Sequence, residues 1–342
     1  MDKVYDVTIV GAGPVGLFAS FYAGMRGLDT LVLETRSEVG GALTAIYPEK
    51  YIYDMVGFPK ILAKDLIHNL YVQSSHFNNK IRYNSQVIDI KKNEDDVFEL
   101  TTVENDVIYS KTVLISTGMG SFTPRKLPAL KAFEHFENQE NRGIKYVIKD
   151  KEKYYGQKVI VAGGGNSALD WAHDFDGNSK KVTLVHRLTD WQAHEESITK
   201  LPDSGIDVYQ PWQFVSANKG EKLEHVVIEH METKEQKTLE ADLLLVNIGF
   251  LPSKTTFKSL PIQVKGGAVV VEPSSLESPD VPGIFAAGDS ATFKGKLKLI
   301  CVGSAEAAIA INHAAIIIDS SASLKPQFSS NFFSEDFNKK KD

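Results

Sequence analysis

The sequence predicts an α/β fold assembled from two related βαβ units, and three observations carry that reading. Apolar, β-branched runs stop at glycine-rich turns twice: 4–10 before Gly11-Ala-Gly13-Pro-Val-Gly16, and 158–162 before Gly163-Gly-Gly165-Asn166-Ser167-Ala168. Such continuous apolar runs mark strands buried on both faces of a parallel sheet. Each turn leads into a segment of helical composition and then a second strand, all within about 30 residues, the length of a βαβ unit. Each unit is also followed by a short meander and a strand that runs into glycine, at Thr117-Gly118 and at Ile248-Gly249. A repeated order of this kind indicates two related domains.

Taken along the chain, the first unit has a helix over 15–26 and a second strand over 30–34. Turn signals at Tyr47-Pro48 and Gly57-Phe-Pro59 precede a helix over 64–77. Strands over 83–90, 97–102 and 107–116 form the first meander. A linker with Pro124 and Pro128 follows, and 133–153 is charged and without a clear period. The second unit has a helix over 166–175 and a strand over 182–186, and its meander spans 223–229 and 238–246. After Pro252 the chain is expected to return to the first domain through a strand over 284–287, the turn Gly288-Asp289 and a helix over 305–318. The expected domains are therefore 1–120 plus 251–342, and 121–250.

The glycines have separate roles in a dinucleotide-binding turn. Gly11 permits the tight turn, Gly13 lets a pyrophosphate approach the backbone, and Gly16 lets helix and strand pack closely. The helix N-terminus then offers N–H groups to the phosphates. In the second unit Gly163 and Gly165 take these places, Asn166 and Ser167 open the helix, and Ala168 stands for the third glycine.

The two units differ in charge at the end of the second strand. Glu34 stands there in the first unit and His186, followed by Arg187, in the second, at equal distances from Gly11 and Gly163. An acid at this position accepts hydrogen bonds from an adenosine ribose hydroxyl, whereas a base suits a 2′-phosphate. A guanidinium can pair with a phosphate through two hydrogen bonds. An unphosphorylated dinucleotide beside a 2′-phosphorylated one reads as FAD plus NADPH, and so as a flavin electron carrier.

Ile284-Phe-Ala-Ala-Gly288-Asp289 is a strand running into Gly-Asp, and it resembles the turn of two-dinucleotide flavoproteins in which such an Asp meets the ribityl chain of FAD and the following helix points at the flavin ring. Tyr47 is equally compatible with stacking on an isoalloxazine and with packing in a core. Cys301 lies in an apolar context and reads as a buried, inert thiol. His194-Glu195-Glu196 reads as a solvated helix start rather than a metal site.

Bulk properties narrow the function classes. The 342 residues, 42% hydrophobic and 24% charged, suit a soluble chain of about two domains. A net charge of −6 argues against a general nucleic-acid binder, and a single cysteine rules out thiol-pair chemistry within the chain. Met1-Asp2-Lys3 runs straight into a strand, so no signal peptide is expected. The apolar run 307–318, interrupted by Asn312 and His313, is expected to be too short to span a membrane. A cytoplasmic location is expected.

The chain resembles the thioredoxin-reductase-like, type 2 ferredoxin–NADP⁺ reductases of bacteria. The resemblance rests on Gly11-Ala-Gly-Pro-Val-Gly16, Glu34, Gly40-Gly41, Ile46-Tyr-Pro-Glu-Lys50, Gly163-Gly-Gly-Asn-Ser-Ala-Leu-Asp170 with Trp171-Ala172, Ala287-Gly-Asp289 and Phe328-Ser-Ser330. It implies the thioredoxin reductase-like architecture of two Rossmann-like domains, one for FAD and one for NAD(P)H. It also implies a homodimer that passes electrons between NADPH and a ferredoxin or flavodoxin through flavin N5. By this likeness Glu34 and Val87 hold the adenosine half, Tyr47 stacks on one flavin face, and Phe122, Asp289 and Ser330 line the cofactor. The tail covers the flavin of the other subunit.

The chain departs from the pattern in three places. Ala42 stands where Gln or Lys is common, and Asn331-Phe332 where the tail usually carries His, so that Phe332 would take the stacking role. Leu188 follows His186-Arg187 where further bases are common, which implies a weaker preference for NADPH. An acidic partner calls for a basic rim, for which Lys294, Lys296 and Lys298 are the candidates. Thioredoxin reductases need a Cys-x-x-Cys pair that is absent here. Bacillithiol-disulfide reductase-like proteins carry Cys where this chain has Val15. The alternative readings are an NAD(P)H oxidase, a quinone or disulfide reductase of the same layout, or a non-catalytic flavin redox sensor.

Overall fold

The computed structural model describes residues 3–118, 120–253, 259–325 and 328–330. The chain divides into two compact units, Met1–Ser121 with Pro252–Asp342 and Phe122–Leu251.

Strand β1 (Val4–Val10) is buried over its last four residues and stops at Gly11, whose φ of +106° turns the chain sharply. Helix α1 (Pro14–Met25) starts on a proline, where a missing N–H costs no helical bond. Strand β2 (Thr30–Leu33) lies parallel to β1 with Leu33 opposite Val10. A short helix α2 (Ala42–Ala45), the two-residue strands β3 (Tyr51–Ile52) and β4 (Ile61–Leu62), and helix α3 (Ala63–Ser74) follow. Next come β5 (Lys80–Arg82) and the meander β6 (Val87–Lys92), β7 (Phe98–Thr102) and β8 (Val107–Ile115). The sheet order is β5-β2-β1-β8-β7-β6.

Strand β9 (Ser121–Pro124) leads into the second unit, which contains β10 (Gly143–Lys145), β11 (Lys158–Ala162), α4 (Asn166–Phe175) and β12 (Lys181–Val185). Helix α5 (Glu195–Thr199) and strands β13 (Ile206–Tyr209), β14 (Trp212–Ala217), β15 (His225–His230), β16 (Gln236–Glu240) and β17 (Leu243–Val246) complete it. Five of these strands form a parallel sheet in the order β10-β17-β11-β12-β13, and β14-β15-β16 form an antiparallel one. The parallel sheet is buried on both sides. Val159 and Val161 of β11 pack with Leu169 and Phe175 of α4, whereas Ile160 and Ala162 pack with Phe214 and Val226 of the antiparallel sheet. That alternation follows from the two-residue period of a strand.

The chain returns through β18 (Phe250–Ser253), β19 (Val264–Lys265), β20 (Ala268–Val270), β21 (Ile284–Ala286), β22 (Ala291–Thr292) and α6 (Ile300–Ile318). Strand β21 pairs in parallel with β8, Ala286 opposite Ile115, and so restores the chain to the first sheet.

Several elements differ from their sequence expectation, and the short strands β3, β4, β5, β13, β19, β20 and β22 have no counterpart in it. The unassigned stretch holds a 3-10 segment over Pro128–Asn138, which lacks the 3.6-residue period, and then β10. Strand β14 was not expected; it shares one apolar face with β15, Phe214 opposite Ile228. Helix α6 begins five residues early. At 19 residues and a mean hydropathy of 1.6 it is long and apolar enough to cross a membrane, contrary to the expectation from 307–318. Here it packs beside α1, with Gly303, Ala307, Ala310, Ile311 and Ala314 buried.

Candidate functional site

The glycine turn of the first unit is shaped by two different requirements. A Cβ on Gly11 would lie 2.6 Å from the Ser116 carbonyl oxygen, and one on Gly16 would lie 1.9 Å from the Gly11 carbonyl oxygen. Those positions are filled by backbone. Gly13 is different: its φ is −70°, and the nearest atom to a Cβ there would be the Gly41 Cα at 4.0 Å. The fold itself therefore has room for a side chain at Gly13. Helix α1 opens with neither a side-chain cap nor an acidic residue in its first turn, which leaves its N–H groups and the positive end of its dipole to an anion. The residues present fit a bound pyrophosphate. The Ala12 carbonyl accepts the Gly40 N–H at 2.8 Å, so the Gly40-Gly41 turn lies against the first.

Glu34 follows β2 directly and is 5% exposed. Its Oε2 accepts the Ala12 N–H at 2.7 Å and its Oε1 accepts the Arg36 N–H at 2.9 Å. Burial pushes the carboxyl pKa up, opposed by the backbone N–H groups of Arg36 and Ala12. A carboxylate has about four acceptor positions, so two backbone bonds leave capacity for a ribose hydroxyl. The Ser85 N–H donates to the Glu34 carbonyl at 2.8 Å and ties this point to the start of β6, where Val87 is buried opposite Thr102.

Ala42 opens α2 and is half-buried. Tyr47 follows that helix, half-buried against the first unit's core. The nearly buried Glu49 carboxylate accepts from Lys64 Nζ at 2.7 Å and pins the Tyr47-Pro48-Glu49 turn to α3. Burial, and then the charge of Asp289, push the Tyr47 phenol pKa up. The fold thus brings Tyr47 and Asp289 within electrostatic reach. Asp289 lies half-buried in the Gly288–Ser290 turn, which is anchored to the end of β8 by the Gly118 N–H donating to Ser290 Oγ at 2.8 Å. Phe122 lies in β9, Ser330 is exposed, and Phe332 lies outside the described residues.

In the second unit Gly163, with φ +144°, donates its N–H to the Val185 carbonyl at 3.0 Å, and a Cβ on it would lie 2.3 Å from the Asn247 carbonyl oxygen. Gly165 is open, with nothing nearer to its Cβ position than the Gln192 carbonyl oxygen at 3.8 Å. Ser167 is exposed at the start of α4, and Asn166 Oδ1 accepts the His194 N–H at 2.7 Å. The Gln192 N–H donates to the Gly164 carbonyl at 2.8 Å, so the loop after β12 lies along the glycine turn.

The structure separates the two bases that the sequence reading placed together. His186 is 5% exposed; its Nε2 lies 3.0 Å from the Asp190 carbonyl oxygen, and its ring stacks on Trp191 with centroids 5.1 Å apart. A Cβ on Gly164 would lie 2.2 Å from that ring, so this glycine makes room for the imidazole. Arg187 alone is exposed.

Lys296 is removed from the expected basic rim: its side chain is buried in an ion pair with Glu306, and Lys294 and Lys298 remain exposed. Cys301 is half-buried in the first turn of α6 rather than fully enclosed.

Comparison with known proteins agrees with this geometry. The family model described as pyridine nucleotide-disulphide oxidoreductase matches residues 5–307. The chain is 38% identical over 333 residues to a ferredoxin–NADP reductase of Halalkalibacterium halodurans, covering 97% of this chain and 99% of the relative. It is 40% identical over 331 residues to ferredoxin–NADP reductase 2 of Bacillus subtilis, covering 97% and 98%. Among solved structures it is similar to T. acidophilum thioredoxin reductase, with a TM-score of 0.70 and 25% identity over 94% of this chain and all of that one. Lactococcus lactis thioredoxin reductase shares the fold with a TM-score of 0.68 at 23% identity, over 92% of this chain and 99% of that one. The chain belongs to the pyridine nucleotide-disulphide oxidoreductase family and, within it, to the ferredoxin–NADP reductases.

Proposed function

We propose that the protein is a FAD-dependent ferredoxin– or flavodoxin–NADP⁺ reductase, moving electrons between NADPH and a one-electron carrier protein. The observation that carries this reading is the charge reversal at the ends of the two second strands: buried, backbone-held Glu34 directly after β2, and exposed Arg187 one residue beyond His186, which is the position equivalent to Glu34 after β12. The full-length relatives named ferredoxin–NADP reductase support it.

FAD belongs to the first unit, residues 1–120 with 251–342. Glu34 accepts from the adenosine ribose while Val87 packs beside the adenosine. The N–H groups that follow Gly13 hold the pyrophosphate. Asp289 accepts from the ribityl chain and Tyr47 covers one ring face, with Ala42 and Ser330 lining the site. When bound, FAD supplies the exchange between two-electron and one-electron chemistry that no side chain provides. NADPH belongs to the second unit, residues 121–250. Gly163, Gly165, Asn166 and Ser167 present the backbone to its pyrophosphate, and Arg187 pairs with the 2′-phosphate. His186 supports the turn from inside. The protein's work is binding, orientation and exclusion of water.

Cys301 is the chain's one cysteine, so a disulfide reductase working through its own thiol pair is set aside. The protein acts in the cytoplasm as a homodimer. Exposed Ile309, Ile317, Leu324 and Phe328 supply apolar surface for the contact between subunits. Lys294 and Lys298 meet an acidic partner. The test is reduction of a ferredoxin or flavodoxin by the purified protein with NADPH under anaerobic conditions. Transfer to oxygen, with none to either carrier, would replace this reading with an oxidase.

A further inference from the structure

The buried Lys296–Glu306 pair has no part in the reading above. Lys296 lies in the loop after β22 and Glu306 in the second turn of α6; their side chains are 7% and 5% exposed. The ammonium donates to both carboxylate oxygens. Glu306 Oε2 also accepts the Gly288 N–H at 2.8 Å.

Gly288 is held on its other sides by packing. A Cβ on it would lie 3.0 Å from Val15 of α1, and one on Gly303 of α6 would lie 3.1 Å from the Gly288 Cα. The φ of Gly288 is +66°, so the turn depends on a conformation that few residues adopt. Asp289 is the next residue. Burying two opposite charges is costly, and an apolar pair of similar volume often stabilises a fold as well or better. Stability alone therefore does not account for an ion pair here. The hydrogen bond to Gly288 does, because it needs an acceptor at that point and the acceptor's charge needs cancelling.

We propose that Lys296 and Glu306 are a positioning pair for the flavin site: Glu306 fixes the Gly288–Asp289 turn, and Lys296 neutralises Glu306 so that no net negative charge is buried beside the flavin. This rests on the reading of the first unit as the FAD site. Removing the ammonium alone leaves a buried carboxylate, which disfavours the more negative reduced flavin. Removing both charges while keeping an amide oxygen for the Gly288 N–H undoes that effect.

The experiment compares the wild-type holoprotein with Lys296→Met, Lys296→Arg and the double variant Lys296→Met/Glu306→Gln. FAD release is followed by the rise in flavin fluorescence, and the flavin midpoint potential is measured by anaerobic redox titration. Lys296→Met is expected to release FAD about tenfold faster, as for one lost charge-assisted contact, with its potential moved to more negative values. Lys296→Arg and the double variant are expected to return both quantities close to wild type. An unmoved potential in Lys296→Met, or equal shifts in Lys296→Met and the double variant, would overturn the proposal. If Lys296→Met fails to fold, a double variant that folds with a shifted potential overturns it, and one with the wild-type potential supports it. A wild-type protein that takes up no FAD overturns the FAD reading itself.

Discussion

Glu34 Oε2 accepts the Ala12 N–H at 2.7 Å, a bond that joins the end of β2 to the turn between β1 and α1. With Arg36 holding the other oxygen, the carboxylate is oriented by backbone before any ligand arrives. Glu34→Gln replaces one acceptor oxygen with an NH₂ donor, so one of these two N–H groups then faces a donor. The variant is expected to lose about 1–3 kcal/mol of stability in urea unfolding. It should also bind FAD about tenfold more weakly in titration calorimetry. Wild-type affinity would show that the ribose is not read at Glu34.

Gly13 and Gly16 separate what the ligand needs from what the fold needs. Gly16→Ala drives a Cβ to 1.9 Å from the Gly11 carbonyl oxygen, and a loss of stability of at least about 1–3 kcal/mol is expected. Gly13→Ala meets no protein atom nearer than 4.0 Å, so its stability should stay within about 0.5 kcal/mol of wild type. FAD affinity should nonetheless fall, because the methyl group occupies the approach to the pyrophosphate. Melting curves of the apoprotein and FAD titrations of both variants check this; full FAD affinity in Gly13→Ala would speak against a pyrophosphate at this turn.

The legibility of this chain varied with how local each signal was. The unit β1–α1–β2 was readable because an apolar run, a glycine turn and a strand-end acid lie within one short segment. The 3-10 segment Pro128–Asn138 turns Leu130, Phe133 and Phe136 to the core at a spacing of three and breaks at Phe133, so a 3.6-residue template reads it poorly. The burial of His186 depends on Trp191 and Gly164, which meet only when the loop after β12 folds onto the glycine turn. Residue type alone placed that imidazole outward. Lys296 reads as part of an exposed basic rim in sequence, and nothing local marks Glu306 as its partner. Only the packing of the Phe293–Leu299 loop on α6 shows them paired and enclosed.

Tyr47 and Asp289 provide a test by pH. The phenol ionises above its ordinary value of 10.0, mainly through burial and secondarily through the Asp289 charge. The unfolded chain therefore ionises first. The stability held by neutral Tyr47 is complete below pH 10.0 and is lost as pH rises through the folded value. Asp289→Asn is expected to bring the ionisation part of the way down, and Tyr47→Phe to remove it from an ultraviolet phenolate titration. An unchanged titration in Asp289→Asn would place the two groups out of electrostatic contact.

Arg187 is the exposed base at the end of β12, with His186 enclosed beneath it. Arg187→Ala is expected to raise the KM for NADPH about tenfold, the cost of one charged phosphate contact, while the KM for NADH changes little. Steady-state kinetics with both nucleotides separates these effects. Equal changes for the two would show that the 2′-phosphate is read elsewhere.

The most direct measurement mixes the purified, FAD-loaded protein anaerobically with NADPH or NADH in a stopped-flow instrument, and then with oxidised ferredoxin. Loss of flavin absorbance at least about tenfold faster with NADPH than with NADH, as expected for one charge-assisted phosphate contact, followed by reduction of the ferredoxin, is the expected result. Flavin absorbance that neither nucleotide changes would contradict the assignment of two dinucleotides to the two units.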